Sequence, residues 1–437
     1  MSPLGVPSRF VVRGARVVDP ESGIDGVRDI LIDRGVLGAI EPSLSSGVDA
    51  VDVPAKGKIL SPGLQDMHVH FREPGGEDAE TIATGALGAA RGGFTHVMTM
   101  PNTNPPVDQK GIVELILQRA QEACGTIVRP CAAITKGLAG QELTEMIELR
   151  QAGAVAVSDD GHPVDSAEMM RRGMEYARGA GLLLISHCED RHLSGSGVMN
   201  EGYWSTVLGL RGIPPEAETL AIARDLALSR LAGCNLHIAH VSTAGGVELV
   251  RRAKAEGLLV TAETAPHYLA LTDESLRTFD ARFKMNPPLR TDADRDALKE
   301  GIRDGTIDVI ATDHAPHPTE KKEVEIDAAP FGVIGLETSL AISIRELVEP
   351  GLLDWPGLIH TMSSRVAGII GWGGGSLVVG QPADLTLIDP DARWTVRAAE
   401  FASLSSNCPF EGQAVRGKVL LTMAGGKVTH AETGLLG

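Results

Sequence analysis

The chain has 437 residues, of which 43% are hydrophobic and 22% are charged, a balance typical of a globular enzyme. Asp and Glu total 57 against 40 Lys and Arg, so the formal net charge is -17. This acidity, without a basic stripe interleaved with aromatic residues, argues against nucleic acid and anionic membrane surfaces as partners. No signal-peptide segment and no run of eighteen apolar residues is found, so we predict a cytoplasmic protein without membrane spans.

The cysteines predict neither a disulfide framework nor a structural zinc site, because they are odd in number and lack CxxC spacing. We expect small, buried thiols in a reducing compartment. The five residues are Cys124, Cys131, Cys188, Cys234 and Cys408.

Both ends of the chain show short strand patterns separated by Gly, Pro and Asp turns. The patterns are Phe10–Val12, Ala15–Val18, Asp29–Ile32, Val36–Ile40 and Ala50–Val53 near the start, and Ser376–Val379, Ala383–Ile388 and Lys418–Ala424 near the end. We predict that residues 1–58 and 371–437 pair into one small β domain.

Residues 59–370 alternate short apolar runs with amphipathic stretches of helical length, the pattern of repeated βα units. The candidate strands are Leu60–His70, Thr95–Pro101, Ile127–Ile134, Val155–Asp160, Leu182–Cys188, Leu236–Val241, Leu259–Pro266 and Asp308–His314. Eight such units favour an α/β fold of the closed (β/α)8 TIM-barrel type, with active residues at the carboxyl ends of the strands. An open doubly wound sheet is the alternative.

Residues suited to binding metal end five of these strands. They are His68, His70, Asp160, His187, His240 and Asp313. Residues i and i+2 of a strand point to the same side, so His68 and His70 face one point. Imidazole and carboxylate groups suit zinc, manganese or iron, and six of them exceed one tetrahedral site. The pattern therefore predicts two metal ions.

Taken singly, each of these residues has an ordinary structural explanation. A lone His such as His187 or His240 is more often a hydrogen-bonded core residue, and an Asp at a strand end often caps the next helix. The coincidence of six residues at one rim favours the metal site. We interpret His237, His267 and His314 as residues that support the ligands or the core.

Four segments resemble the dihydroorotases of the amidohydrolase superfamily, in particular the bacterial type I branch. The segments are Asp66-Met67-His68-Val69-His70-Phe71-Arg72-Glu73-Pro74-Gly75, Met100-Pro101-Asn102-Thr103, Lys284-Met285-Asn286-Pro287-Pro288-Leu289-Arg290 and Ala311-Thr312-Asp313-His314-Ala315-Pro316-His317. The HxH pair alone is weakly specific, but the ordered set is strongly specific. The resemblance extends from Gly14 to Gly425-Gly426-Lys427.

The resemblance implies two zinc ions, one held by His68, His70 and Asp313 and the other by His187 and His240. Asp160 is implied as the bridge, where hydantoinases and the other dihydroorotase branch have a carboxylated lysine. The adjacent Asp159 is the alternative for this role.

The same resemblance implies the residues that bind the substrate. Arg72 and Asn102 are expected to hold its carboxylate, and Asn286 and His317 its ring amides. Phe331 and Gly332 are expected to add backbone contacts. The ordinary alternatives are a salt bridge at the rim for Arg72, turns beside proline for the two asparagines and a solvated loop position for His317.

The implied reaction is the reversible cyclisation of N-carbamoyl-L-aspartate to L-dihydroorotate in pyrimidine biosynthesis. Hydroxide formed from metal-bound water is the expected nucleophile in the hydrolytic direction, and Asp313 the expected general acid/base. An allantoinase or hydantoinase is the alternative within this class. An inactive structural homologue associated with aspartate carbamoyltransferase is the alternative outside it.

Two properties stay open at this level. The charged loop from His317 to Phe331 fits either a lid over the site or a solvated connector. Assembly as a homo-oligomer, or with aspartate carbamoyltransferase, is not decided by the residues.

Overall fold

Eight parallel strands form the centre of the computed structural model, which describes residues 7–45, 50–123 and 125–436. They are Leu64–Val69, Phe94–Thr99, Ile127–Ala132, Ala156–Ser158, Leu183–Ser186, Leu236–Ile238, Val260–Thr264 and Val309–Ile310. The strands follow one another around the sheet in chain order, and Val69 forms a parallel bridge with His314, so the last strand meets the first. The predicted (β/α)8 barrel is confirmed.

Helices connect the strands and cover the barrel. The α-helices are Ile82–Arg91, Lys110–Glu122, Met146–Ala152, Ala167–Ala180, Arg191–Ser194, Tyr203–Leu208, Glu216–Ala232, Ala244–Ala255, Pro266–Ala270, Asp292–Arg303, Thr319–Lys322, Ser339–Ser343, Trp355–Ile359 and Arg365–Ile370. Short 3-10 segments are Lys136–Leu138, Asp273–Thr278, Ala281–Phe283 and Ala398–Glu400, and π-helical turns are Ile344–Val348 and His360–Ser364.

Local sequence explains where these helices begin and end. The Ser166 side chain accepts a hydrogen bond from the Met169 backbone N–H and so caps the helix Ala167–Ala180. Gly181 ends this helix in the left-handed conformation, at φ 67°. Met170 and Met174, one helical turn apart, are buried toward the barrel.

The two chain ends meet in a second sheet, as the sequence predicts. Its strands are Arg9–Asp19, Ile24–Asp33, Val36–Glu41, Val51–Pro54, Ile59–Pro62, Leu385–Thr395, Ala414–Ala424 and Lys427–Ala431. The two strand patterns around Gly14 form one strand, with a register shift between Val12 and Ala15. Phe10, Leu385 and Leu421 lie in the hydrophobic core of this sheet. A two-stranded ladder, Met199–Asn200 with Gly212–Ile213, lies apart from both sheets.

Two predicted strands differ from the structure. The single strand predicted over Leu60–His70 is two strands, because Ile59–Pro62 pairs in the terminal sheet and the barrel strand begins after Gly63. A Cβ at Gly63 would lie 2.1 Å from the Thr95 side chain, so only glycine fits between the two strands at this position. Ser376–Val379 forms no strand, since Val378 and Val379 are exposed and the Leu377 N–H donates to the Asp19 carboxylate.

The cysteines that the structure describes are buried thiols, as predicted. Cys131, Cys188, Cys234 and Cys408 are buried and free, while Cys124 lies outside the described residues. No helix within residues 7–45, 50–123 and 125–436 combines the length and hydrophobicity needed to cross a bilayer.

Candidate metal centre and active site

The six residues predicted to bind metal lie together, buried at the carboxyl ends of the barrel strands. They are His68, His70, Asp160, His187, His240 and Asp313. The barrel brings them together because all its strands run the same way, so their carboxyl ends form one rim.

The Asp160 carboxylate is the common point of this cluster. Its Oδ1 lies 3.4 Å from His68 Nε2, 3.4 Å from His187 Nδ1 and 3.6 Å from His240 Nε2. Its Oδ2 lies 3.5 Å from His70 Nε2. One carboxylate therefore faces four imidazoles.

Two sets of potential ligand atoms share Asp160. One set is His68, His70 and Asp160, and the other is His187, His240 and Asp160. Within each set, one potential ligand atom from each residue lies within 4.8 Å of the others. His68 Nε2 and Asp160 Oδ1 are buried without a hydrogen-bond partner among the described residues. Buried polar atoms without partners are costly, and a cation between them removes this cost. The donor set therefore fits two divalent ions that share one carboxylate.

The electrostatics around His187 and Asp160 favour positive charge on the imidazole. Burial opposes the charged form of His187, but the carboxylates of Asp160 and Glu189 outweigh it and raise the pKa of His187 to about 10. Burial likewise opposes ionisation of Asp160, but His68 and the other imidazoles outweigh it and hold the pKa of this carboxyl well below its usual range. The carboxylates thus attract either protons or a metal cation to the imidazoles.

Asp313 lies beside the first of these sets. Its Oδ1 is 3.2 Å from His70 Nε2 and 3.6 Å from His68 Nε2. Burial opposes its charge, but the hydrogen bond with His70 and the charge of His68 outweigh this effect and lower the pKa of Asp313 to about 2. The carboxylate is therefore ionised at neutral pH and can accept a proton.

The backbone is strained at three residues of this rim. Arg72, His240 and Asp313 have φ values of 61°, 29° and 48°, a region that non-glycine residues rarely occupy. Such conformations persist where the surrounding structure holds them, and they concentrate at functional sites.

Asp159 and Asp160, adjacent in sequence, have different surroundings. The Asp159 carboxylate accepts hydrogen bonds from the backbone N–H groups of Ile134 and Thr135 and from the Thr135 hydroxyl. It joins the third and fourth barrel strands, whereas Asp160 faces the imidazoles. Gly161, at φ 72°, leaves room for Asn102, whose Nδ2 would be 3.1 Å from a Cβ at this position.

The Arg72 guanidinium has no acidic partner within residues 7–45, 50–123 and 125–436. Its Nε donates to the Pro316 carbonyl at 3.2 Å, and no carboxylate of the described residues lies within 4.0 Å of its guanidinium nitrogens. Burial lowers the pKa of Arg72 to about 10, against the attraction of Asp313 and Asp160, so the group stays protonated at neutral pH. It can therefore receive an anionic group of a ligand.

The two predicted substrate asparagines are hydrogen-bonded at the cluster, Asn102 to two of its members and Asn286 to the neighbouring Glu189. Asn102 Oδ1 lies 2.8 Å from His70 Nδ1, and its Nδ2 lies 3.5 Å from Asp160. Asn286 Nδ2 donates to Glu189 Oε2 at 3.0 Å. Asn102 thus orients His70 with its Nε2 toward the cluster.

His317, Phe331 and Gly332 lie together beyond Asp313. His317 Nε2 donates to the Phe331 carbonyl at 2.7 Å. Burial and the charge of Arg72 lower the pKa of His317 to about 3, so this imidazole is neutral at physiological pH. Gly332 has φ 130°, and a Cβ there would lie 3.0 Å from His317 Nε2.

Comparison with known proteins identifies the family. A family model described as "Dihydro-orotase-like" matches residues 57–245. The chain is 50% identical over 423 residues to "Dihydroorotase" of Geobacter metallireducens, covering 96% of this chain and 99% of the relative. The chain belongs to the dihydroorotase family. It is also 48% identical over 429 residues to "Dihydroorotase" of Pelotomaculum thermopropionicum, covering 97% of this chain and 99% of that protein.

Solved structures of cyclic amidohydrolases share the fold of this family member. "L-Hydantoinase (Dihydropyrimidinase) from Arthrobacter aurescens" is 29% identical, with a TM-score of 0.87 over 97% of this chain and 96% of that chain. Dihydropyrimidinase from Brevibacillus agri is 25% identical, with a TM-score of 0.83 over 96% and 94% of the two chains. The barrel with its added β domain is therefore shared with these hydantoinases.

Two glutamates of the site, the half-buried Glu189 and the buried Glu263, were not singled out from the sequence. Glu189 Oε2 lies 3.1 Å from His187 Nε2 and also accepts from Asn286, so it joins a predicted metal ligand to a predicted substrate residue. Glu263 Oε1 lies 2.5 Å from His68 Nδ1. The signal for Glu263 is a charged residue within a predicted barrel strand, and for Glu189 it is the i+2 spacing from His187.

The loop between His317 and Phe331 is held by two lysines. Lys322 Nζ donates to the carbonyls of Lys284 at 3.2 Å and Pro330 at 2.9 Å. Lys284 Nζ in turn donates to the Ile326 carbonyl at 2.6 Å and lies 4.6 Å from the centre of the Phe331 ring. These contacts anchor the loop to the segment that carries Asn286. That the loop closes over a substrate stays a prediction.

The buried Lys322 predicts a pH-dependent stability. Burial and then the charge of Lys284 lower the pKa of Lys322 from 10.5 to about 7. Between pH 7 and about 10 the unfolded chain binds a proton here that the folded chain does not, so stability rises with pH. Relative to Lys322→Met, we expect the wild-type free energy of unfolding to increase by about 1–3 kcal/mol across this range.

Denaturant titrations of both proteins at pH 6, 7, 8, 9 and 10 measure this difference. Lys321→Met is the matched control, because the neighbouring Lys321 is exposed and pairs with Asp78 at 3.1 Å. The interpretation is wrong if the difference between wild type and Lys322→Met is independent of pH.

Proposed function

We propose that this chain catalyses the reversible, zinc-dependent cyclisation of N-carbamoyl-L-aspartate to L-dihydroorotate in pyrimidine biosynthesis. The observation that carries the proposal is the Asp160 carboxylate shared by two sets of imidazoles, in a chain that is 50% identical to a dihydroorotase over nearly its whole length. The family supplies the substrate class, and the cluster supplies the groups that the chemistry needs.

In this proposal His68, His70 and Asp313 would hold one zinc ion, His187 and His240 would hold the other, and Asp160 would be the ligand common to both. The distances of 3.4–3.6 Å from the Asp160 oxygens to the four imidazoles support this arrangement. Two bound divalent ions would lower the pKa of a water molecule from about 15.7 toward about 7 and polarise the substrate carbonyl. The Asp159 carboxylate accepts hydrogen bonds from backbone N–H groups, which supports Asp160 as the bridge.

Asp313 is the proposed general acid/base. In the hydrolytic direction water adds to the amide carbon of the ring, the carbon–nitrogen bond breaks, and the ring nitrogen gains a proton. Asp313 takes the proton from the water and delivers it to this nitrogen. The His70 contact at 3.2 Å orients the carboxylate for both transfers. Cyclisation is the same sequence reversed.

Substrate binding is assigned to residues that surround the cluster. Arg72, which has no acidic partner in the part of the chain that the structure describes, would pair with the substrate carboxylate. Asn102 would assist Arg72 from its place beside His70, and Asn286 and the neutral His317 would bind the ring amides. Backbone groups of Phe331 and Gly332 complete this side of the site.

Two alternatives make different predictions from the same residues. An allantoinase or hydantoinase would have less need of Arg72, since its substrates lack the same carboxylate. An inactive homologue that acts as a subunit beside aspartate carbamoyltransferase would need neither the four histidines nor the shared carboxylate. Assembly into a homo-oligomer or with that transferase is compatible with the proposal and is not required by it.

Metal analysis and substrate comparison test the proposed function together. We expect the purified chain to contain zinc, to turn over dihydroorotate in preference to hydantoin and allantoin, and to lose activity on chelation and regain it with zinc. Faster turnover of hydantoin or allantoin would support the first alternative. A chain without bound metal and without turnover of any of the three would support the second.

Arg72 should determine binding of the carboxylated substrate. Arg72→Gln removes the charge and the two-pronged hydrogen bond, so we expect kcat/KM for dihydroorotate to fall about 100-fold, mainly through KM. Steady-state kinetics measure this change. Arg129→Gln is the control, because Arg129 is an exposed arginine of the third barrel strand. An unchanged KM in Arg72→Gln would contradict the assignment.

A further inference from the structure

Behind the metal centre, a buried carboxylate connects two imidazoles of different barrel strands. Glu263, in the strand Val260–Thr264, is 1% exposed, and His68 and His237 are both fully buried. Glu263 Oε1 lies 2.5 Å from His68 Nδ1, and Oε2 lies 3.2 Å from His237 Nε2. His237 Nδ1 lies 2.8 Å from the Thr261 hydroxyl. The four side chains follow one another in close contact, although Glu263 Oε2 and His237 Nε2 have no hydrogen-bond partner among the described residues.

The chemistry of these groups fixes the state of His68. An ionised carboxylate only accepts hydrogen bonds, so His68 Nδ1 must carry the proton that Glu263 accepts. In a neutral imidazole the lone pair is then on Nε2, the atom that faces Asp160 and Asp313 at 3.4 Å and 3.6 Å. Glu263 thus holds His68 in the tautomer and ring orientation that a metal ligand needs.

Charge adds to this effect. An anion bonded to the far nitrogen makes an imidazole a stronger electron donor at its other nitrogen. A buried glutamate is also costly unless it is paired, and Glu263 has His68 hydrogen-bonded to Oε1 and the His237 imidazole within ion-pair distance of Oε2. A residue used only for packing would not need this charge inside a buried barrel strand.

We propose that Glu263 is a positioning residue for the first metal site, and that His237 holds Glu263 in place. This inference rests on the proposed function, because it takes His68 as a zinc ligand. It adds that zinc affinity at the site depends on the negative charge of a residue that does not touch the metal.

Glu263→Gln tests the role of the charge, because it keeps the shape of the side chain. We expect the affinity of the folded chain for zinc to be about 10- to 100-fold lower in Glu263→Gln, as is typical when a residue behind a ligand is changed. Competition with a chromophoric chelator measures this affinity without any turnover assay, and visible absorption of the cobalt-loaded protein reports the ligand geometry. Glu248→Gln is the control, because this surface glutamate, 44% exposed, pairs with Arg251 and Arg252.

The outcomes separate the two proposals. Wild-type affinity and cobalt spectrum in a folded Glu263→Gln protein would overturn the role of Glu263. If Glu263→Gln does not fold, His237→Asn replaces it, with an expected several-fold loss of affinity, and an unchanged affinity there overturns the proposal. Failure of the wild-type chain to bind zinc would instead contradict the proposed function.

Discussion

Replacing Asp313 by Asn is expected to lower turnover of dihydroorotate by about 10²- to 10⁴-fold, the usual contribution of a positioned proton-transfer group. An amide of the same shape cannot accept the proton of the attacking water or return it to the ring nitrogen. One oxygen is kept beside His70, so we expect the bound metal to be largely retained. Steady-state kinetics with metal analysis of the same sample measure both quantities.

The barrel offers a matched control for this change. Asp308 is adjacent to the other end of the same strand, Val309–Ile310, and is buried to nearly the same degree, with 6% exposure against 7% for Asp313. It forms ion pairs with Lys254 and Arg365, neither of which belongs to the cluster. Asp308→Asn should lower stability and leave turnover intact. An Asp313→Asn protein with its metal and full turnover would contradict the proton-transfer role.

Replacing Asp160 by Asn is expected to remove metal from both sites at once, because this carboxylate is common to both sets of ligand atoms. The loss of affinity should exceed the roughly 10- to 100-fold typical of a residue behind a ligand. Turnover should fall to the level of the chelated wild-type chain. Elemental analysis after dialysis, and chelator competition for each zinc ion, measure the effect.

Asp159→Asn is the control for this experiment, since it makes the same chemical change one residue away. Asp159 accepts from the Ile134 and Thr135 backbone, so its replacement should lower the free energy of unfolding by about 1–3 kcal/mol and leave the metal in place. Loss of metal in Asp159→Asn with retention in Asp160→Asn would reverse the assignment of the bridge.

Most of the barrel can be predicted from the sequence because its signals are local. Each strand is a short apolar run next to an amphipathic helix, and hydrophobic periodicity reports both elements without knowledge of the fold. The limits of the strands are less certain. The apolar run through Gly63 is continuous, yet its first part pairs in the terminal sheet and its second part in the barrel. Only the available hydrogen-bonding partners decide this division.

The same reasoning explains the wrong prediction for Ser376–Val379. Its Val-rich pattern has strand propensity, but a strand also needs a neighbouring edge to pair with. In the structure Leu377 is held by the Asp19 side chain instead of a ladder. Strand propensity therefore indicates an extended segment here, but it does not show whether a neighbouring strand is available for pairing.

By itself, the sequence determined the parallel barrel and the presence of six ligand-type residues at the ends of its strands, since strand order and polarity place those ends at one rim. Only the tertiary structure decided which atoms meet. It directed Asp160 toward four imidazoles and Asp159 toward the backbone, and it placed Glu263 against His68, 195 residues away in the chain. Contacts of this kind depend on side-chain directions across neighbouring and opposite strands, which no local pattern encodes.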